Sequence, residues 1–252
     1  MKQHTTHEIY DAHAARWSRT TPVLLSDFTA RPRAIEALGP LEGLHVLDLG
    51  CGEGYVARLM AARGAASIYG VDLSGEMVKL AQRYSAHPSC ELTFVAHDVV
   101  TYDEYPRARY ERAVAVFLFN YLTRAQMTAV MRRVRARLAP GGRFVFTVPH
   151  PCLPFMRPRS APFYFDPEGR RYDAAADETF EGEIWNRGQG PVPVRCVHKT
   201  FTDYFEALRE AGFSALPHLQ ELSVTAEHLA LDPEFFGPLA GDPLHVLFSV
   251  SA

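Results

Sequence analysis

The sequence of 252 residues has no stretch of apolar residues long enough to cross a membrane as a helix. Its longest apolar run covers residues 113–122, interrupted by Asn120, whereas a membrane-spanning helix needs about 20 apolar residues. Positive charge is not in excess either, since 26 lysines and arginines stand against 29 aspartates and glutamates. We therefore expect no membrane anchor and no nucleic-acid partner, because proteins that bind nucleic acid neutralise its phosphates with lysine and arginine. The charged residues before Trp17 also argue against a signal peptide.

Cysteine is scarce, and its spacing excludes two further classes of protein. Cys51, Cys90, Cys152 and Cys196 lie far apart and form no Cys-x-x-Cys pair, which is typical neither of a zinc site nor of a disulfide-stapled secreted domain. The hydrophobic share of 47% and the charged share of 22% are those of a globular chain. We expect one domain over residues 1–252, in the reducing cytoplasm.

Changes in hydrophobic period divide this domain into zones. Residues 1–40 predict an N-terminal helical cap, with Trp17 on the apolar face of one helix and Pro32 at the start of the next. Residues 44–150 alternate short apolar runs with helical stripes, which is typical of parallel strands joined by helices. The predicted strands of this zone cover residues 45–49, 67–71, 92–96, 113–119 and 143–148. The predicted helices cover residues 55–63 and 77–84 and a longer stretch that begins with a capping box at Thr123 and Gln126.

The last two zones differ from this alternating pattern. Residues 149–194 hold 8 of the 18 prolines together with many aromatic residues. Because so many aromatic side chains would be costly to leave in water, we expect the insertion at residues 150–200 to fold back as a lid over the edge of the sheet where ligands bind. Residues 201–252 predict a final helix near residues 204–211 and two strands near residues 215–224 and 244–250.

A glycine-rich turn carries the strongest local signal. Asp48-Leu49-Gly50-Cys51-Gly52-Glu53-Gly54 follows a buried strand and precedes a helix. Glycines allow such a turn to tighten, so that its N–H groups approach a polar ligand closely. A turn that merely connects the two elements is the alternative.

Carboxylates at the ends of the next two strands favour a ligand that contains adenosine. Asp72 lies 18 positions after the last glycine of the turn, where it is placed to accept hydrogen bonds from both ribose hydroxyls. The alternative role for Asp72 is to cap the following helix, but Ser74 is available for that. Asp98 is placed to accept a hydrogen bond from the adenine amine. Tyr55 occupies the third glycine position of a G-x-G-x-x-G motif, which disfavours a nicotinamide dinucleotide, and no P-loop motif is present.

Residues 44–150 resemble the class I S-adenosylmethionine-dependent methyltransferases. The segment from Asp48 to Gly54 looks like the first motif of that family, Asp72 stands at the position of its ribose-binding acid, and Pro140-Gly141-Gly142 is similar to its entry into the fifth strand. The resemblance implies an α/β, doubly wound, Rossmann-like fold with a mostly parallel seven-stranded sheet whose last strand is antiparallel. It also implies S-adenosylmethionine as the cofactor. The predicted cofactor contacts in the residues that carry the resemblance are Asp48, Gly50, Cys51, Gly52, Asp72, Leu73, Met77, Asp98, Val99 and Phe117. Tyr10, to which the resemblance extends loosely, and Trp17 are further candidates, and core packing of an amphipathic helix is the alternative for both.

Methyl transfer from a sulfonium requires the nucleophile to be held about 3 Å from the methyl carbon, in line and away from water. The aromatic insertion favours a small, hydrophobic or aromatic acceptor, as in enzymes of secondary metabolism, methylated at O, N or C. His150 and His198 are the candidate bases, and a structural role in a loop is the alternative for each. The candidate acceptor contacts are Asn120, Tyr121, Phe155 and Trp185.

Other interpretations remain open at this point. No metal site is expected, because His4, His7 and His13 have no accompanying carboxylate or cysteine cluster. A protein of the same fold can bind S-adenosylmethionine and catalyse a non-methylating reaction such as a cyclisation. A nicotinamide-dependent oxidoreductase and a non-enzymatic docking protein are further alternatives, and the oligomeric state stays undecided.

Overall fold

The structure is a computed structural model that describes residue 17 and residues 19–156, 161–187 and 190–252. Tyr10 and most of the predicted first helix lie outside these residues. Among the helices that are described, none combines the length and the apolar character needed to cross a bilayer.

Within the described residues, ten strands form two sheets. The strands are β1 (His45–Leu49), β2 (Ser67–Asp72), β3 (Glu91–Ala96), β4 (Tyr110–Val116), β5 (Leu138–Pro149), β6 (Phe163–Phe165), β7 (Thr179–Asn186), β8 (Gly190–Val197), β9 (His218–Leu222) and β10 (His245–Ser251). Seven of them form one sheet in the order β3-β2-β1-β4-β5-β10-β9. The first five run parallel, and β10 is antiparallel to both of its neighbours. The predicted α/β fold, with seven strands and an antiparallel last strand, is confirmed.

Helices precede the first strand and connect the strands that follow. They are α1 (Leu25–Thr29), α2 (Arg31–Ala37), α3 (Tyr55–Ala61), α4 (Gly75–Tyr84), α5 (Arg124–Arg137), α6 (Leu153–Met156), α7 (Phe201–Glu210), α8 (Ala226–Leu231) and α9 (Pro233–Phe236). Side-chain caps fix the starts of several helices: Ser74 Oγ, for example, accepts the N–H of Met77 at 3.2 Å, and Thr123 forms the predicted capping box with Gln126. These caps satisfy N–H groups that have no partner within a helix.

Apolar side chains cover both faces of the seven-stranded sheet. On one face, Leu47 and Phe146 belong to a cluster with buried residues of α5 and α7. On the other face, Val46 and Val145 pack with buried residues of α2, α3 and α4. Successive strand residues point to opposite faces, so burial on both sides explains why these strands consist of nearly continuous apolar runs.

The insertion forms a three-stranded antiparallel sheet of β6, β7 and β8, here called the lid sheet. Its Phe163 and Phe180 pack in a cluster that also contains Trp17, Leu24 and Met77. Met77 lies in the first turn of α4, directly after the carboxyl end of β2. The lid sheet is therefore anchored beside the edge of the large sheet where its parallel strands end.

Several predicted boundaries are wrong. Strand β4 ends at Val116 rather than at residue 119, because Phe117 adopts a φ of +58° and Phe119–Tyr121 form a 3₁₀ turn. Strand β5 starts at Leu138, so that Pro140-Gly141-Gly142 lies within the strand rather than in a turn before it. Helices α8 and α9, between β9 and β10, were not anticipated.

Candidate functional site

A cavity of about 290 Å³ opens where β1, β2, β3 and β4 end. Its walls bring together eleven of the twelve predicted cofactor contacts: Trp17, Asp48, Gly50, Cys51, Gly52, Asp72, Leu73, Met77, Asp98, Val99 and Phe117. The twelfth, Tyr10, lies outside the described residues. Residues that are distant in sequence meet here because parallel strands place their carboxyl ends along one edge of a sheet.

The glycine-rich turn forms the floor of the cavity. Gly50 and Gly52 have φ values of +71° and +55°, a region that favours glycine. A Cβ on Gly50 would lie 3.2 Å from the side chain of Leu118, whereas a Cβ on Gly52 would meet no atom within 4 Å. The turn is also tied to the neighbouring strand, since Gly50 N donates to the carbonyl of Val71 at 2.8 Å. Gly50 therefore keeps the backbone close to Leu118, and Gly52 leaves room for a ligand.

Asp72 is held rigidly at the rim of this turn. Its Oδ2 accepts the N–H of Gly52 at 2.8 Å, and its Oδ1 accepts the N–H of Ser74 at 2.9 Å. These two bonds fix both oxygens of the carboxylate next to the glycine-rich turn. Asp98 is fixed in a similar way, since its Oδ1 accepts the N–H of Val100 at 2.8 Å.

Asp48 is a buried carboxyl group in the same cavity. Burial, reinforced by the negative charge of Asp72 and opposed by Arg31, raises the pKa of Asp48 to about 7. Its Oδ2 has no hydrogen-bond partner among the residues that the structure describes. A buried oxygen without a partner is costly, and a bound group that donates to it or carries positive charge would remove that cost.

Arg19 and Arg31 also line the cavity, although no sequence motif had indicated them. Arg19 donates to both carboxylate oxygens of Asp27, at 2.7 and 2.8 Å, and Arg31 donates to the same carboxylate at 2.9 Å. Although burial opposes the shift, Arg31 and Arg19 hold the pKa of Asp27 below its ordinary value. Arg19 also donates to the carbonyl of Trp17 at 2.7 Å and covers the ring of Tyr55 at 4.4 Å. These contacts fix Trp17 at the cavity.

Phe117 has an unusual backbone conformation at the end of β4. Its φ of +58° lies in a region that bulky residues seldom adopt and that often marks functional sites. The Phe117 N–H donates to the carbonyl of Thr147 at 2.9 Å, and its ring lies 5.0 Å from the ring of His245. The Arg31 guanidinium lies 5.4 Å from the centre of the Phe117 ring. The turned backbone places this ring in the cavity wall.

The two candidate bases lie elsewhere. His150 is buried, with Nδ1 accepting the N–H of Cys152 at 3.2 Å and Nε2 lying 2.9 Å from Oε1 of Glu221. His198 is buried directly after the end of β8, where its Nε2 donates to the carbonyl of Tyr172 at 3.0 Å. Burial lowers the pKa of His198. Neither histidine belongs to the lining of the cavity among the described residues.

Of the candidate acceptor contacts, Tyr121 lines the cavity. Asn120 is buried next to it, Phe155 packs against His198 at a ring distance of 5.2 Å, and Trp185 is 41% exposed on the lid sheet. In the part of the chain that the structure describes, no group of three or more histidine, cysteine or carboxylate side chains is close enough to bind a metal ion.

Comparisons with known proteins agree with this geometry. A family model described as a methyltransferase domain matches residues 46–142. An S-adenosylmethionine-dependent methyltransferase of Mesorhizobium loti superposes with a TM-score of 0.65 at 25% identity, covering 88% of this chain and 96% of that one.

Two curated relatives are also methyltransferases. The ubiquinone biosynthesis O-methyltransferase of Alkalilimnicola ehrlichii is 32% identical over 153 residues, which cover 56% of this chain and 58% of that protein. The N-demethylindolmycin N-methyltransferase of Streptomyces griseus is 26% identical over 200 residues, which cover 75% of this chain and 73% of that protein. This chain spans only 53% and 58% of the length of the first two curated relatives that it matches.

Proposed function

Because this chain belongs to the class I S-adenosylmethionine-dependent methyltransferases, we propose that it transfers a methyl group from S-adenosylmethionine to an oxygen, nitrogen or carbon atom of a small acceptor. The observation that carries the proposal is the meeting of Asp48, Asp72 and the glycine turn in one cavity. Two carboxylates and a turn with open space suit a cationic ligand that bears a ribose.

The residues present fit this cofactor. Asp72 would accept hydrogen bonds from the ribose hydroxyls, and Asp98 would accept one from the adenine amine. The open space at Gly52 provides room for the methionine part of the cofactor. Asp48 Oδ2, which accepts no hydrogen bond from the described residues, provides an acceptor for it. When bound, S-adenosylmethionine supplies an electrophilic methyl group on a positively charged sulfur.

The protein's own contribution is then mainly position and exclusion of water. Phe117, Leu118, Tyr121 and Leu122 form an apolar wall where β4 ends. Such a wall holds a flat or apolar acceptor in line with the methyl group and keeps water away from it. This lining supports a small hydrophobic or aromatic acceptor. The free thiols of all four cysteines suit a reducing compartment, and we propose the cytoplasm.

Calorimetric titration with S-adenosylmethionine, S-adenosylhomocysteine and NAD tests the cofactor. We expect micromolar affinity for both sulfur compounds and no heat with NAD. Asp72→Ala should lose about 2 kcal/mol or more of binding free energy, because buried ribose hydroxyls would remain unpaired. Asp103→Ala, which removes an exposed carboxylate paired with Arg137, is the control and should bind like the unmodified protein. Absence of binding by both sulfur compounds would overturn the proposal.

Product analysis distinguishes methyl transfer from a non-methylating reaction on the same cofactor. We expect one equivalent of S-adenosylhomocysteine for each methylated product when the protein is incubated with a panel of phenols, carboxylic acids and amines. Conversion of an acceptor while S-adenosylmethionine stays intact would favour the alternative, such as a cyclisation.

A further inference from the structure

Lysine is rare in this chain, and one lysine is buried. The sequence has Lys2, Lys79 and Lys199 against 23 arginines. Lys199 lies between β8 and α7 and is only 2% exposed. Its Nζ donates to the carbonyl of Leu122 at 2.6 Å and to the carbonyl of Val197 at 2.8 Å.

Burying an ammonium group is costly unless its charge and its hydrogen atoms find partners. Burial lowers the pKa of Lys199 to about 8, although Cys196, Asp177 and Asp203 favour the charged form. The hydrogen-bond acceptors that the structure gives this ammonium are backbone carbonyls. An arginine, which is larger and planar, does not reproduce this compact arrangement.

The contact with Leu122 joins the lid sheet to the wall of the cavity. Tyr121 and Leu122 both line the cavity, and Leu122 follows the 3₁₀ turn Phe119–Tyr121. A second contact holds the residues that follow Leu122: Asp177, two positions before β7, accepts the N–H of Arg124 with its Oδ1 at 2.6 Å.

We propose that Lys199 is a positioning residue for the methyl acceptor: its ammonium holds Tyr121 and Leu122, which line the cavity, against the end of β8 in the lid sheet. This inference rests on the proposed function of the cavity. The glycine turn and Asp72, which would hold the cofactor, are stabilised by β1 and β2 and make none of these contacts. Loss of the ammonium should therefore increase the mobility of Tyr121 and Leu122 and leave cofactor binding intact.

Hydrogen exchange of the protein saturated with S-adenosylhomocysteine tests the proposal without a known acceptor. The N–H groups of Tyr121 and Leu122 donate to the carbonyls of Leu118 and Phe119, so that their exchange reports opening of this turn. In Lys199→Met we expect exchange there to be at least about tenfold faster, with the dissociation constant of S-adenosylhomocysteine within about twofold of the unmodified value. Lys79→Met, at an exposed lysine, is the matched control and should change neither.

Each outcome bears on one proposal only. Unchanged exchange at Tyr121 and Leu122 in Lys199→Met, with normal ligand binding, overturns the role of Lys199 and leaves the proposed function standing. Failure of the unmodified protein to bind S-adenosylhomocysteine overturns the proposed function instead. If Lys199→Met does not melt cooperatively, Lys199→Gln replaces it, because its shorter neutral side chain cannot reach both carbonyls.

Kinetics with an acceptor found in the product screen give a second readout. Lys199→Met should raise the KM for the acceptor at least about tenfold and leave the KM for S-adenosylmethionine within about twofold. An equal rise in both values would assign Lys199 to general stability and overturn the positioning role.

Discussion

At the level of single residues, folding changes the protonation of Asp48. Its raised pKa means that the folded protein without ligand keeps this proton to a higher pH than the unfolded chain does. The stability from this group is therefore fully present below the ordinary pKa of aspartate and is lost as the pH rises through about 7. A cationic ligand has the opposite effect, because it favours the ionised carboxylate.

Binding of S-adenosylmethionine should accordingly release a proton and strengthen with pH. Between pH 6 and 8 the ionised fraction of a group with a pKa near 7 rises from about one tenth to about nine tenths, so that we expect about tenfold tighter binding at pH 8. Calorimetry in two buffers with different ionisation enthalpies measures both effects. Since the ligand's own α-amino group also titrates in this range, the comparison is made with Asp48→Asn. The same pH dependence in that variant would contradict the assignment.

Individual residues of the site differ in how far the sequence reveals them. Asp48, Asp72 and Asp98 were predictable because each follows an apolar strand whose end must lie at the ligand edge. Arg19 and Arg31 were not, since each lies outside any motif and reaches the cavity only through tertiary packing. Lys199 carries no local signal either, because its partner Leu122 is distant in sequence.

At the level of elements, Gly52 in the turn between β1 and α3 has a counterpart outside the site, Gly141. Gly52 and Gly141 both have positive φ, +55° and +72°, and in both cases an added Cβ meets nothing within 4 Å. They differ in place, since Gly52 lines the cavity and Gly141 lies in β5. Substitutions at these two glycines therefore distinguish the effect of backbone strain from the effect of obstructing the ligand.

We expect Gly52→Ala and Gly141→Ala each to lower the free energy of unfolding by roughly 1 to 2 kcal/mol, the cost of a left-handed conformation for alanine. Only Gly52→Ala should weaken binding of S-adenosylhomocysteine, by at least about tenfold, because its methyl group occupies ligand space. Chemical denaturation and calorimetry provide the two readouts. Equal affinities of the two variants would show that the cavity floor tolerates a side chain at Gly52.

Strands and helices of the large sheet could be predicted because burial on both faces leaves nearly continuous apolar runs, as in β1. The lid sheet was missed because Pro191 and Pro193 argue against a strand at the position of β8. These prolines are tolerated because β8, among the described residues, pairs only with β7 and is an edge strand. The prolines alternate with Val192 and Val194, which are buried. The end of β4 was misplaced because nothing in the sequence predicts a left-handed φ at Phe117.

At the level of the whole molecule, the lid sheet and the large sheet are expected to unfold together. Phe146 is buried in the large sheet, where its ring stacks on Phe248 at 4.7 Å, and Phe180 is buried in the lid-sheet cluster. Because Trp17 and Met77 belong to that cluster and also line the cavity, the two parts share a boundary. We propose that residues 1–252 form one cooperative domain.

Phe146→Leu and Phe180→Leu should each lower the stability of a single unfolding transition by roughly 1 to 2 kcal/mol. Their effects should add in the double variant, since distant sites with no shared partners usually do so. Calorimetry together with near- and far-ultraviolet circular dichroism measures this. Two separate transitions, with Phe180→Leu shifting only one of them, would divide the chain into independent units.

The position of β10 between β5 and β9 has a consequence for synthesis on the ribosome. Roughly 100 residues separate the end of β5 from the start of β10, and translation proceeds at roughly 5 to 20 residues per second. The outer edge of β5 therefore stays unpaired for roughly 5 to 20 seconds in each nascent chain, and such an edge is a template for aggregation. Codon choice and chaperone supply over residues 150–251 should then affect the yield of folded protein without changing any contact in the finished molecule.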